Sequence, residues 1–131
     1  MKYFVAIIFF FTLSMQAVYA EIIDVNQSSE YTIEVTTGNG KSNLSNIVGS
    51  SCKLSGFNTK YIVVSCSGTQ INIYDESGKY LNAITNAINH TSHEPTYVSS
   101  VTEKYIIVKY KNSNSKKYYD FNGTLIKTDY W

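Results

Sequence analysis

Short apolar runs separated by polar turn segments fill most of this chain. In the run from Tyr61 to Cys66, alternate residues belong to opposite faces, so that Ile62 and Val64 share a face with Cys66 while Val63 lies on the other. β-Branched and aromatic residues, which favour strands, dominate such runs. Gly, Asn, Asp and Ser separate them. The pattern predicts an all-β protein made of short antiparallel strands.

The chain also contains an internal duplication. The sequence KYIVV at residues 60–64 returns as KYIIV at residues 104–108, and YDESG at residues 74–78 returns as YDFNG at residues 119–123. The displacement is 44 positions for the first pair and 45 for the second, so the intervening loop has gained one residue. Because a strand and a turn recur in the same order, the duplication predicts two structural units, at about residues 50–84 and 95–129.

Each unit is predicted to form four strands. In the first unit a turn from Gly56 to Thr59 follows the first strand. In both units the last turn has the pattern Asp-x-x-Gly, which is typical of hairpins because Gly adopts the positive φ that a Cβ disfavours. The predicted strands are residues 51–54, 61–66, 70–74 and 79–84 in the first unit, and residues 96–101, 105–110, 116–119 and 124–129 in the second.

Four short strands with a turn before the last one, repeated after 44 to 45 positions, resemble a blade of a β-propeller. Tyr74-Asp75 and Tyr119-Asp120 occupy the place of the Trp-Asp dipeptide of WD40 blades, although the Gly-His element of that family is absent. Two blades cannot close a ring. We therefore expect two four-stranded antiparallel units packed as a sandwich or truncated propeller, with residues 21–48 adding one or two strands over an open side. The alternative is a propeller completed by self-association.

Residues 1–20 have the pattern of a cleavable secretory signal, with a lysine at position 2, an apolar segment at residues 4–13 and a cleavage site ending at Ala20. Ser14 and Gln16 interrupt the apolar run before it reaches the roughly 20 residues of a membrane-spanning helix. We therefore expect a periplasmic or secreted protein. Residues 21–131 would form a single all-β domain with no stable membrane insertion after cleavage.

Two cysteines, Cys52 and Cys66, remain after the signal, and their midpoint, Thr59, falls in the predicted turn from Gly56 to Thr59. An even number of cysteines in an exported protein predicts one disulfide, here across a hairpin. Thr96 and Tyr110 take the corresponding places in the second unit, so only one unit would be cross-linked.

The net charge indicates no nucleic-acid partner. The eleven basic residues include Lys2, so removal of the signal leaves ten against ten acidic residues, and the domain is formally neutral.

An enzyme is not expected. Both histidines, His90 and His93, lie in the connector between the units, and both cysteines are assigned to a disulfide, so no nucleophile and base pair emerges. Together with Glu94 the histidines could supply metal ligands, but no further ligand pattern lies nearby, and an ordinary polar loop is the simpler interpretation. No cofactor and no metal are predicted.

Binding is the class of function that the composition favours. Ten tyrosines remain after residue 20, when Tyr3 and Tyr19 are subtracted from the twelve in the chain, and tyrosine is enriched at protein interfaces. The duplication places the loops between the second and third strands of both units at one end of the molecule, where they form the predicted partner surface. The predicted contact residues are Ser65, Ser67, Gly68 and Thr69 in the first loop, and Tyr110, Lys111, Lys116 and Lys117 in the second.

Export, one disulfide, a β scaffold and the lack of a catalytic set resemble the periplasmic immunity proteins that protect bacteria from type VI secretion effectors, especially β-rich inhibitors of peptidoglycan amidases. The resemblance implies a protein partner, either a toxin or a cell-wall hydrolase, whose active site a loop occludes. It includes no motif, so no residue role is transferred to this chain. The alternatives are an envelope or surface module that binds polysaccharide or protein, and a small enzyme or metal-binding protein.

Overall fold

The computed structural model describes residues 20–67, 70–85, 96–110 and 114–131. These residues form eleven strands in three antiparallel sheets. The first sheet contains β1 (Ile22–Ser29), β2 (Thr32–Thr37) and β3 (Gly40–Ser45). The second contains β4 (Cys52–Phe57), β5 (Ile62–Cys66), β6 (Gln70–Tyr74) and β7 (Tyr80–Ile84). The third contains β8 (Thr96–Val101), β9 (Ile106–Tyr110), β10 (Ser115–Tyr119) and β11 (Leu125–Tyr130).

The predicted fold class is confirmed. Both repeat units are four-stranded meanders, because strands that follow each other in the chain are also neighbours in the sheet. The prediction for residues 21–48 was too small, since this segment forms three strands and a sheet of its own. Val25, Ile33 and Val35 give this sheet an apolar face. Such a face must be buried against another element, and here it packs on the second sheet.

The three sheets are stacked, and the second sheet lies in the middle. Ile62 and Val64 belong to a core shared with the first sheet, whereas Val63 belongs to a core shared with the third. All three side chains are 0% exposed. The alternation predicted for this strand is therefore correct, and it makes β5 apolar on both faces. The first core also includes Ile22, Val25, Ile33, Val35, Ile47, Val48 and Tyr74. The second also includes Ile71, Ile73, Ile84, Ile106, Val108, Tyr119 and Phe121.

The two repeat units match down to their irregularities. Cys52 pairs with Cys66, and the equivalent pair in the third sheet is Thr96 with Tyr110. A β-bulge interrupts β4 after Leu54, and its equivalent interrupts β8 after Val98. A bulge bends a strand and increases its local twist. The duplication therefore reproduces the shape of each sheet as well as its strand order.

The turn after β4 begins later than predicted. Gly56 and Phe57 belong to the strand, and the turn starts at Asn58. The Asn58 side-chain oxygen accepts hydrogen bonds from the backbone N–H groups of Lys60 and Tyr61, at 2.9 and 2.8 Å. The sequence misled here because glycine is typical of turns, whereas Gly56 lies next to a β-bulge within the strand.

Equivalent turns of neighbouring sheets are bonded to each other. The Asn58 amide donates a hydrogen bond to the carbonyl oxygen of Thr102 at 3.0 Å, and the hydroxyl of Thr59 donates to the Glu103 carboxylate at 2.7 Å. Thr59 also accepts a bond through its carbonyl oxygen from the N–H of Ile22, at the start of β1. All three sheets are therefore joined at this end of the stack.

The two Asp-x-x-Gly turns connect each unit to the sheet before it. Gly78 and Gly123 have φ angles of 84° and 83°, as the sequence predicts. A Cβ at Gly78 would lie 3.1 Å from a methyl group of Leu44 in β3, and one at Gly123 would lie 3.0 Å from the carbonyl oxygen of Ala83 in β7. The glycines are thus required by close packing as well as by φ.

The predicted disulfide joins Cys52 and Cys66, which are directly opposite each other on β4 and β5. Both cysteines are half-buried and pack against the first core. A disulfide that closes a loop of this size stabilises the fold by about 3 kcal/mol in the chain-entropy model.

The described residues include no helix with the length and hydropathy needed to cross a membrane.

Gly56→Ala tests the close approach of β4 to β8. A Cβ at this position would lie 2.6 Å from Cγ2 of Val101. Because that carbon belongs to a stiff β-branched side chain, we expect the free energy of unfolding to fall by about 1–3 kcal/mol, measured by urea denaturation.

Gly38→Ala is the matched control, because a Cβ at Gly38 would have no atom within 4 Å. Its effect should stay within about 0.5 kcal/mol. Removing the obstructing methyl groups with Val101→Ala in the Gly56→Ala background should give a favourable coupling energy. Equal stability of the two glycine variants would contradict the close approach.

Asp75 should stabilise the turn before β7 in a pH-dependent way. Burial opposes its ionisation, but hydrogen bonds from the Ser77 hydroxyl and from the N–H groups of Lys79 and Ser77, with the charge of Lys79, outweigh burial and lower the pKa of Asp75 below its ordinary 3.8. A lowered pKa in the folded state adds stability above the unfolded pKa, and this is lost as pH falls through the folded value. As the pH falls below about 4, the free energy of unfolding should therefore decrease more in the native protein than in Asp75→Asn. Unfolding experiments at each pH measure this difference.

Candidate functional site

The two outer faces of the stack are candidate surfaces for a partner. The middle sheet shows what one of them would look like if another sheet followed it. Its face toward the third sheet contains Val63 and three isoleucines, Ile71, Ile73 and Ile84, all buried. The two sheets have the same register, so each residue of this face has an equivalent on the outer face of the third sheet.

The outer face of the third sheet replaces these isoleucines with polar and aromatic residues. Ser65 pairs with Ile71 in the middle sheet, and Lys109 pairs with Lys116 at the same place in the third. Tyr118 takes the place of Ile73, and Asp129 takes the place of Ile84. The third sheet therefore ends the stack with a surface that suits solvent or a polar partner, not with an apolar surface for a fourth sheet.

Lysine side chains lie over aromatic rings on this outer face. The Lys127 ammonium nitrogen is 4.4 Å from the centre of the Tyr118 ring. The ammonium nitrogens of Lys109 and Lys116 lie 5.0 and 5.5 Å from the centre of the Trp131 ring. All three distances are within the range of cation–π attraction. We call this surface the lysine–aromatic face, and its members are Tyr105, Tyr118, Trp131, Lys109, Lys116 and Lys127.

The carboxylate of Asp129 is paired within the lysine–aromatic face. Asp129 accepts a hydrogen bond from the Tyr118 hydroxyl, and this bond, with smaller contributions from burial and from the charge of Asp129, raises the pKa of Tyr118 above its ordinary 10.0. The carboxylate also lies 4.0 Å from the Lys127 nitrogen. The rings of Tyr105 and Tyr118 meet edge to face, with centres 5.5 Å apart. Three lysines against one aspartate leave the face cationic.

The outer face of the first sheet has a different chemistry. Asp24, Asn26, Glu34 and Thr36 lie on it, opposite the buried residues of β1 and β2. Lys41 pairs with Glu34 at 3.4 Å. This surface is polar and carries more acidic than basic groups, so the two outer faces of the stack differ in charge.

A cavity of about 460 Å³ lies beside the turns at the joined end of the stack. Its lining mixes carboxylates such as Glu21 and Glu76 with the lysines Lys60 and Lys79. Asp75, which also lines it, is already bonded to its own turn. We therefore favour the lysine–aromatic face as the candidate site.

The structure separates the residues predicted to contact a partner. Ser65 lies within β5, where it is half-buried and hydrogen-bonded to Ser55. Ser67 is exposed, and its N–H donates a hydrogen bond to the carbonyl oxygen of Ser51. Lys116 belongs to the lysine–aromatic face, whereas Lys117, next to it on β10, points to the opposite side of the sheet.

Other predicted positions lie outside the described residues. They are Gly68, Thr69 and Lys111 in the two loops, together with the candidate metal ligands His90, His93 and Glu94. The backbone of Tyr110 ends β9, but its side chain is not described. Within the described ranges, no three His, Cys, Asp or Glu side chains are grouped in a way that could hold a metal ion.

Tyr105, Tyr118, Lys127 and Trp131 were missed as site residues, although the duplication held a signal for Tyr118. An alignment of the two units at a displacement of 45 places Ile71 and Ile73 against Lys116 and Tyr118. A position that has isoleucine in the first unit and lysine or tyrosine in the second lies in a core in the first unit and on an outer face in the second. That comparison becomes informative only when the faces of each sheet are known.

Comparison with known proteins gives little further information. No family model matches the chain, and no curated protein matches it. A similar solved structure is the crystal structure of a protein of unknown function from Bacteroides caccae, with 10% identity and a TM-score of 0.42. The match covers 87% of this chain and 47% of the other, so this chain spans about half the length of that protein.

Asp129→Asn should lower the pKa of Tyr118 toward its ordinary 10.0, because the substitution removes the charged acceptor that favours the protonated hydroxyl. The measurement is an NMR titration of the Tyr118 ring. Glu30→Gln, in the exposed turn after β1, is the matched control and should leave this titration unchanged. An unaltered titration in Asp129→Asn would mean that the two side chains are not bonded in solution.

Proposed function

We propose that this chain is an exported binding protein that inhibits a toxin or a cell-wall hydrolase by covering the enzyme's cleft, as periplasmic immunity proteins do. The observation that carries the proposal is the arrangement of two equivalent hairpins. The β5–β6 and β9–β10 hairpins leave the second and third sheets at the same end of the stack, because the turns at the opposite end are bonded to each other.

The bases of both hairpins are held in place by bonds within the chain. The disulfide Cys52–Cys66 closes the base of the first, and the N–H of Ser67 donates to the carbonyl oxygen of Ser51 at 2.7 Å. At the second, the N–H of Trp131 donates to the carbonyl oxygen of Asn114 at 3.0 Å. A prearranged surface loses less conformational entropy on binding, and low entropic cost favours the tight association that an inhibitor needs.

The chemistry of the hairpin end suits occlusion. Ser67, a small polar residue, lies in the β5–β6 hairpin, and the β9–β10 hairpin is bounded by Lys109 and Lys116. Small residues can enter a narrow cleft, and lysines beside them favour an enzyme whose cleft is lined by carboxylates. Export places such a protein where toxins and cell-wall hydrolases act.

The experiment is affinity capture followed by an inhibition assay. The full-length gene product, exported and purified from its host, is immobilised and exposed at physiological salt to envelope extracts and to proteins secreted by competing strains. We expect a hydrolase or toxin to be retained and to lose its activity at one equivalent of this protein. Retention of no enzyme, or of an enzyme that stays active at saturation, would overturn the proposal.

Asn114→Trp places a bulky ring at the exposed base of the β9–β10 hairpin. We expect it to weaken binding of the captured enzyme by about tenfold or more. Asn43→Trp makes the same change at an exposed position on the outer face of the first sheet. This control should bind within about twofold of the unmodified protein. Equal losses in both variants would show that the hairpin end is not the contact surface.

A further inference from the structure

We infer that the lysine–aromatic face binds an acidic protein surface. This inference rests on the proposed function, and it assigns the face to the surface that surrounds the enzyme's cleft. The face runs along the third sheet from Tyr105, beside the turn after β8, to Trp131, beside the β9–β10 hairpin. A partner seated over the hairpin end would therefore also meet this face.

The register of the sheets argues against another apolar sheet as the occupant. The two cores between the described sheets consist of buried aliphatic and aromatic side chains. Lys116, Tyr118 and Asp129 stand where the middle sheet has isoleucines. Burying Lys116 and Asp129 against an apolar surface would remove their charges from water, which is strongly unfavourable.

The positions of the lysines favour carboxylates as ligands. The ammonium groups of Lys109 and Lys116 both lie over the Trp131 ring, and that of Lys127 lies over Tyr118. The rings are thus covered by cations, which leaves less of them open for stacking on sugars or bases. An ammonium group that stands on a ring still has donors directed away from it, and these can bind carboxylates of a partner.

The rings also reduce the entropic cost of binding. A free lysine side chain loses up to about 2 kcal/mol of rotamer entropy when it is held in one position. Contact with Trp131 or Tyr118 limits these rotamers before a partner arrives. The face therefore combines prearranged donors with an excess of positive charge, a combination that accelerates association with an acidic surface and makes it sensitive to salt.

Trp131 makes the inference measurable, because it is the only tryptophan in the chain and lies on the face, 58% exposed. The probe is poly-L-glutamate, titrated into the full-length exported protein while Trp131 emission is recorded. We expect a saturable change in emission that weakens steeply as salt rises. An absence of any change at low salt would overturn the inference.

The specificity test uses two variants with the same change in net charge. Lys109→Glu with Lys127→Glu reverses two charges on the face, and Lys53→Glu with Lys60→Glu reverses two exposed lysines outside it. We expect the first to weaken poly-L-glutamate binding by about tenfold or more and the second by about threefold or less. Lys109→Gln with Lys127→Gln should give a smaller loss in the same direction and guards against a folding defect. Equal losses in the two reversed variants would overturn the inference.

Two other occupants are tested in parallel. Alginate, an acidic glycan, should change Trp131 emission less than poly-L-glutamate does at equal carboxylate concentration, and tighter binding of alginate would assign the face to polysaccharide instead. A second copy of this chain is tested by sedimentation. A dimer lost in Lys109→Glu with Lys127→Glu would assign the face to self-association.

Failure of this inference is distinguishable from failure of the proposed function. If Asn114→Trp weakens binding of the captured enzyme but the reversed lysines of the face do not, the inhibitor function stands and the inference is wrong. If no enzyme is captured but poly-L-glutamate binds through the face, the proposed function is wrong and the inference stands.

Discussion

Burial of the middle sheet on both faces is the constraint on which the rest of the structure depends. Ile62 and Val64 on one face of β5, and Val63 on the other, are 0% exposed. At about 1.5–3 kcal/mol for each aliphatic side chain removed from water, neither face can be left open without a large loss of stability. The chain must therefore place a sheet on each side, and the first and third sheets meet this requirement.

The same constraint explains how the duplication is used. Each unit contacts the sheet before it through equivalent residues, with Gly78 against Leu44 of the first sheet and Gly123 against Ala83 of the second. The repeated turns Asn58–Tyr61 and Thr102–Tyr105 are bonded across the joined end. Because successive units are related by the same step, the hairpins at the other end emerge in parallel positions. The candidate binding end is thus a consequence of stacking.

The third sheet is the last of the described stack, so one of its faces is not covered by another sheet, and the residue types on that face differ accordingly. The face could not keep the isoleucines of the middle sheet, since a large exposed apolar surface promotes aggregation. Lys116, Tyr118 and Asp129 take those positions. On the same face, the ammonium groups of Lys109, Lys116 and Lys127 lie 4.4–5.5 Å from the centres of aromatic rings. The contacts of these lysines with Tyr118 and Trp131 are the reason to propose this face as a binding surface.

The sequence by itself determined the strand order of the two repeat units, the duplication, the disulfide and the Asp-x-x-Gly turns, because each depends on residues close in the chain or on a repeated pattern. Tertiary structure alone decided that residues 21–48 form a separate sheet and that Gly56 lies in a strand facing Val101. It alone also decided that the face of Lys116 is the outer face of the third sheet. The physical reason is that a side chain's role depends on which face of which sheet has a neighbour. Local alternation assigns a residue to a face, but only packing determines whether that face is covered.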